Sequence, residues 1–169
     1  MKITDEEKKE LEEIYQAFRR DERLLKMLEI PMHRGSNCYI HSFKVAKTAI
    51  RRALRHRKAD LRTILLGAIL HDYYLYDWRI DRSKMKSHLR THPYTAAKNA
   101  ERDFEIPESV KKVIHSHMWP VNLFDFPKSK EARIVSFADK HIYLSEILTS
   151  KRHKAKNKEK YLKDLETLF

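Results

Sequence analysis

The sequence predicts an all-α protein, folded as a compact bundle of about six to eight helices. Three observations carry this reading. Only two glycines, Gly35 and Gly67, occur in 169 residues, too few for the tight turns of a β-rich chain. No segment alternates apolar and polar residues with a period of two. The apolar positions instead recur at three- and four-residue intervals, mostly behind a residue suited to capping a helix.

Each element follows from that pattern. Thr4 with Glu7 matches a capping box and opens a helix over 4–28, in which Leu11, Ile14, Tyr15, Phe18, Leu24, Leu25 and Leu28 fall near helical spacing. Pro31 and Gly35 break it. A second helix spans Asn37 to Arg57, with His41, Val45, Thr48, Ala49 and Arg52 or Ala53 inward. Asp60 caps a third, which ends at His71-Asp72. Residues 73–89 are aromatic and charged without clear periodicity, and read as a structured loop. His92-Pro93 reads as a helix start with Pro93 at the first helical position, followed by Ala96, Ala97, Ala100 and Phe104. Pro107 opens a shorter helix through Val110, Val113, Ile114 and His117. Pro120 and Pro127 bracket a loop. Ser129 caps the next helix, with Ile134, Val135, Ala138, Ile142 and Leu148 inward.

The stretch 151–160 is almost wholly polar, and Tyr161, Leu162, Leu165, Leu168 and Phe169 then restore a helical apolar stripe. This predicts a terminal helix over about 151–169, packed on the body or on a second copy as a homodimer. No linker or repeat is present. The expectation is one domain over 1–169, with a core at about 35–148 and a helical extension at each end.

Composition limits the function. Lys and Arg number 36 against 24 Asp and Glu, a formal net charge of +12. Such a surface attracts nucleotides, nucleic acid or acidic lipid, or it serves solubility alone. Basic and aromatic residues do not interleave, which disfavours a single-strand binder. The glycine scarcity argues against a glycine-rich phosphate loop. Cys38 is the only cysteine, so no intrachain disulfide forms, and no activating partner stands near it in sequence. The apolar runs are too short to span a membrane. Met1 to Glu7 lacks the apolar stretch of a signal peptide, so the expected location is cytoplasmic.

The chemistry centres on His71-Asp72. An imidazole and a carboxylate, both good divalent-metal ligands, close the apolar run Ile64–Leu70. His41 lies on the inward face of the second helix. Asp139 follows Val135-Ser136-Phe137-Ala138, beside an apolar face where a carboxylate is costly unless paired or bound to metal. His56 and His153 sit in charge runs and read as surface residues.

Taken in order, His41…His71-Asp72…Asp139 resembles the H…HD…D signature of the HD-domain superfamily of metal-dependent phosphohydrolases, in its HDIG-related, bacterial type. Local contexts agree. His41-Ser42-Phe43-Lys44-Val45-Ala46 is similar to H-S-x-x-V-A, Gly67-Ala68-Ile69-Leu70-His71-Asp72 to A-x-L-L-H-D, and Ala138-Asp139-Lys140 to A-D-K. His92-Pro93-Tyr94-Thr95-Ala96-Ala97 and Ile114-His115-Ser116-His117 match the motifs of two-metal members. The resemblance implies one metal on His41, His71, Asp72 and Asp139, with Asp72 bridging to a second held by His92 and His117. Relatives often carry a second His where Met118 stands, and His115 is the alternative donor.

One or two divalent ions are therefore expected, Fe, Mn, Co, Ni or Zn in preference to Mg, activating a water to attack phosphorus. Asp72 would orient that water, with His71 and Lys140 beside it. Arg79, Arg82, Lys140, His88 and His33 are the substrate-binding candidates. After the pair the chain reads Tyr73-Tyr74-Leu75 rather than I-G-K, and it lacks the G-Y-P element of cyclic-di-GMP phosphodiesterases. The expected substrate is a nucleotide or another small phosphorylated metabolite. A nucleotide-sensing module, or a nucleic-acid-binding protein or nuclease using the basic surface, are the competing expectations.

Overall fold

The computed structural model describes residues 3–32, 36–55, 59–148 and 162–169. Among these the elements are α1 (Asp5–Arg20), α2 (Glu22–Leu25), a 3-10 turn (Lys26–Glu29), α3 (Cys38–Ala53), α4 (Leu61–Leu70), α5 (Arg82–Met85), α6 (His88–Phe104), α7 (Glu108–Ser116) and α8 (Lys130–Leu148). No strand occurs among the described residues, only an isolated bridge between Pro31 and Asn37. The all-α expectation holds.

The bundle is built around α4. Every residue from Thr63 to Leu70 is buried, as expected of a helix apolar on all sides. It packs against α3, α7 and α8. Each fully buried Ile or Leu here contributes roughly 1.5–3 kcal/mol. Caps set the helix starts. Thr4 and Glu7 form a complete capping box, Asn37 accepts from the Ile40 amide, Asp60 from the Thr63 amide and Ser129 from the Ala132 amide.

Several sequence expectations need correction. The N-terminal helix is not continuous to residue 28. Asp21 is extended, with ψ near 122°, and its carboxylate caps α2 by accepting from the Arg23 amide. The second helix ends at Ala53 rather than Arg57. His92-Pro93 does not start a helix, because α6 begins at His88 and carries Pro93 inside it. The proline removes one intrahelical donor, in the second turn. The preceding turn is held by side chains: Thr91 Oγ1 donates to the Ser87 carbonyl at 3.1 Å, and His88 stacks on Trp78 at 5.1 Å. The expected loop over 73–89 therefore contains α5 and the start of α6. Leu148, expected inward, is 82% exposed at the end of α8.

Most of the expected terminal helix lies outside the described residues. Its last part, 162–169, is helical only over 162–164, contrary to the expected helix to 169, and docks on this chain's own body. Leu165 and Leu168 are buried. Tyr15 Oη donates to the Leu165 carbonyl at 3.0 Å, Lys47 Nζ to the Asp164 carbonyl at 2.7 Å, and the Leu168 amide to Glu12 at 2.9 Å. No described helix is long and apolar enough to cross a membrane.

Gly67 sets the distance between α4 and α7. A Cβ at this position would stand 2.5 Å from Val113 Cγ1 and 3.0 Å from Val113 Cβ. The second of these atoms is close to backbone and cannot swing away. Overpacking of this kind costs about 1–3 kcal/mol, against about 1 kcal/mol of helix propensity gained. Gly67→Ala is expected to lower stability by about 1 kcal/mol net and Tm by roughly 2–4 °C, read by thermal denaturation.

Candidate metal centre

Helix ends and helix interiors deliver the donors. His71 follows α4 as its C-cap, and His117 follows α7 in the same position. In both, Nδ1 lies on a carbonyl three residues back, Ala68 for His71 at 2.8 Å and Ile114 for His117 at 2.7 Å. Both carbonyls lie near a helix C-terminus, where intrahelical amide donors run out, and that of Ile114 also accepts from the His117 amide at 3.5 Å. His92, inside α6, places Nδ1 2.9 Å from the His88 carbonyl. His41, inside α3, places Nδ1 3.0 Å from Glu146. Each ring thus gives its Nδ1 proton to an oxygen and turns Nε2 into the same space. That is the outer-partner pattern of metal-ligating histidines, which sets tautomer and ring orientation.

The carboxylates complete two donor groups. Asp72 Oδ2 lies 3.2 Å from His71 Nε2 and 4.0 Å from His41 Nε2, while Asp139 Oδ1 lies 3.1 Å from His41 Nε2 and 3.7 Å from His71 Nε2. Asp72 Oδ1 faces the other way, 3.3 Å from His92 Nε2 and 3.8 Å from His117 Nε2. Donor atoms of His41, His71 and Asp72, of His71, His117 and Asp139, and of Asp72, His92 and His117 each lie within 4.8 Å of one another. Two ligands about 2.1 Å from one ion stand roughly 3.0–3.4 Å apart at right or tetrahedral angles, close to this spacing.

Two further observations fit a cation. His71 Nε2 is buried and has no hydrogen-bond partner, a state that calls for an explanation. His92 Nε2 and His117 Nε2 stand 3.0 Å apart, and with both Nδ1 protons given to carbonyls, neutral rings would oppose two lone pairs. A positive charge relieves both. The C-terminal ends of α4 and α7 point their negative dipole ends at the same place.

The charge balance points the same way. Burial alone would lower the His41 imidazole, but Asp139 and Glu146 outweigh it and lift it to about 9. Burial likewise opposes His71, and Asp72 with Asp139 carries it well above its usual value. Burial and the neighbouring His71 and His92 push His117 down to about 3. Asp72 and Asp139 resist burial through their histidine partners and stay ionised. The carboxylates thus hold protons on His41 and His71, positions a divalent cation would satisfy.

Glu146 was not found by sequence reading. It is buried, and accepts from Ser36 Oγ at 3.0 Å and Lys44 Nζ at 3.1 Å as well as holding His41. Burial raises its carboxyl, but His41 and Lys44 bring it down to about 2. The available signal was its place seven residues after Asp139, two turns on along one face of α8.

The remaining candidates scatter. Lys140 lines the pocket beside the donors and donates to the His117 carbonyl at 2.9 Å and to Ser136 Oγ at 2.6 Å. Arg79 lines the pocket and is paired to Asp77 at 2.8 Å. His88 lies on one face of α6 with His92, 4.6 Å away and stacked, and contacts Tyr76 Oη through Nδ1 at 3.1 Å. His115 faces Tyr94 at 5.0 Å and belongs to none of the three donor groups. His33 and the Arg82 side chain lie outside the described residues.

Fold and site together define an all-α bundle with a buried His/Asp centre suited to divalent metal. A family model described as HD domain matches residues 38–144, from the start of α3 through most of α8. The chain belongs to the HD-domain family, a superfamily of metal-dependent phosphohydrolases. No curated protein and no solved structure matches it significantly.

Proposed function

We propose that the protein is a metal-dependent phosphohydrolase acting on a phosphoester or phosphoanhydride of a small phosphorylated compound. The observation that supports this most is Asp72, whose two oxygens face two separate sets of imidazole donors. In this reading His41, His71, Asp72 and Asp139 hold one divalent ion, and Asp72, His92 and His117 a second. Nitrogen and oxygen donors without thiolate favour Mn, Fe, Co, Ni or Zn over Mg. The metal supplies Lewis acidity, which acidifies water and neutralises charge on phosphoryl oxygens.

The chain's own residues do the rest. Asp72 orients the attacking water. The walls above the donors, which include Tyr74, Trp78 and Met118, exclude bulk water and strengthen the electrostatics inside. Lys140 is held on the wall next to Asp139, where its ammonium faces an incoming phosphoryl group.

Metal analysis of the purified protein tests the centre, and turnover of a panel of phosphorylated metabolites with added Mn²⁺ or Co²⁺ tests the activity. The expected result is one or two transition ions per chain and hydrolysis that chelation abolishes. No binding after reconstitution would overturn the proposal, and metal binding without turnover of any phosphoester or anhydride would leave a sensing module. Stability supplies an independent check. Removing metal with a chelator is expected to lower Tm, since an ion at about 100 times its Kd stabilises the fold by about 2.7 kcal/mol.

A further inference from the structure

The space above the metal donors is a cavity of about 550 Å³, within the range of small-molecule sites. Its wall differs from the rest of the surface. The chain as a whole carries +12, yet the described residues lining this cavity balance two acids, Asp72 and Asp139, against two cations, Arg79 and Lys140. Both cations are engaged. Arg79 forms a fork with Asp77, Nε to Oδ1 at 3.0 Å and the second nitrogen to Oδ2 at 2.8 Å, so the pair presents no net charge. Lys140 keeps its charge, being held by the neutral His117 carbonyl and Ser136 hydroxyl beside the donors, and serves the one phosphoryl group at the metal.

The remainder of the wall is apolar and aromatic. Trp78 stacks on His88 with ring centroids 5.1 Å apart and planes 16° apart, and His88 stacks on His92 at 4.6 Å and 24°. A column of three rings therefore extends from the candidate donor His92 to Trp78 on the cavity wall. Leu89 and Val121, both exposed, form the rim, and Met32 and Met118 also line the cavity. The rim is pinned: Asn122 Nδ2 donates to the Arg90 carbonyl at 3.0 Å, and Tyr94 Oη donates to Asp125. A second or third phosphate would have to lie against these surfaces without a spare cation among the described residues, and an unpaired buried charge is costly. An aromatic or apolar body would find stacking and contact area there.

We infer that the substrate is a phosphomonoester carrying a single phosphoryl group on an aromatic or apolar body of about nucleoside size, and that nucleoside triphosphates and other polyphosphates are rejected. The inference rests on the phosphohydrolase reading. It assigns the metal centre to the phosphoryl group and the Trp78–Leu89–Val121 wall to the leaving group.

Calorimetric titration of the metal-loaded protein, with metal in excess, tests it without turnover. The probes are inorganic phosphate, methylphosphonate, phenylphosphonate, adenosine 5′-monophosphate and adenosine 5′-triphosphate. Phenylphosphonate is expected to bind about ten-fold or more tightly than methylphosphonate, and the monophosphate about ten-fold or more tightly than the triphosphate. Trp78→Ala should remove most of the phenyl advantage and leave methylphosphonate within about two-fold, because a stacking wall touches only the body of the ligand. Equal binding of the two phosphonates, or preference for the triphosphate, would overturn the inference and leave the phosphohydrolase reading standing. Failure of every probe, inorganic phosphate included, to bind the metal-loaded protein would overturn both.

Discussion

Asp72→Ala is expected to abolish metal binding at both donor groups and to lower turnover by about a thousand-fold or more. In the proposed two-ion arrangement no other side chain belongs to both sets. Oδ2 lies with His71 and His41, and Oδ1 with His92 and His117. Removing any one imidazole leaves the other group intact, whereas removing Asp72 takes a negative ligand from each. The fold should survive, since His71 can give up its proton once the carboxylate that holds it there is removed. The signature is therefore a Tm that no longer responds to added metal while the helical circular dichroism is unchanged. A variant that still binds two ions and turns substrate over would remove Asp72 from the bridging position.

Glu146→Gln is expected to weaken metal at the His41 group by about 10–100-fold, the usual effect of losing an outer carboxylate partner. Gln keeps the volume and an acceptor for Ser36 and Lys44, but it lacks the charge that makes the His41 ring a better donor. Glu146 touches neither His92 nor His117. A two-step metal titration should accordingly show one weakened step and one unchanged. Equal weakening of both steps would mean that Glu146 supports the fold around α3 and α8 rather than one ligand.

Much of this centre was legible in the sequence, because its donors sit in short, ordered contexts. His71-Asp72 closes an apolar helix, and Asp139 follows the apolar face of another. Other parts were hidden for identifiable reasons. Pro93 suggested a helix start because it lacks an amide proton, but stacking of His88 and His92 with Trp78 favours one helix through it. Glu146 looked like an ordinary helix carboxylate. Its importance comes from Ser36, Lys44 and His41, all roughly a hundred positions earlier in the chain.

The sequence by itself determined the all-α class, the capped starts at Thr4, Asn37, Asp60 and Ser129, and a set of histidines and aspartates that could hold a metal. Those features depend on periodicity and on hydrogen bonds spanning three or four residues, which local order encodes. Only the tertiary structure decided which oxygen of Asp72 faces which imidazoles, that Lys140 reaches the His117 carbonyl, and that residues 162–169 dock on α1 and α3 of their own chain. It also decided that the segment after His71-Asp72 forms an aromatic wall on which Arg79 is paired to Asp77. These depend on how α4 sits among α3, α7 and α8, with Gly67 allowing the close approach of Val113, and packing across a core has no local code.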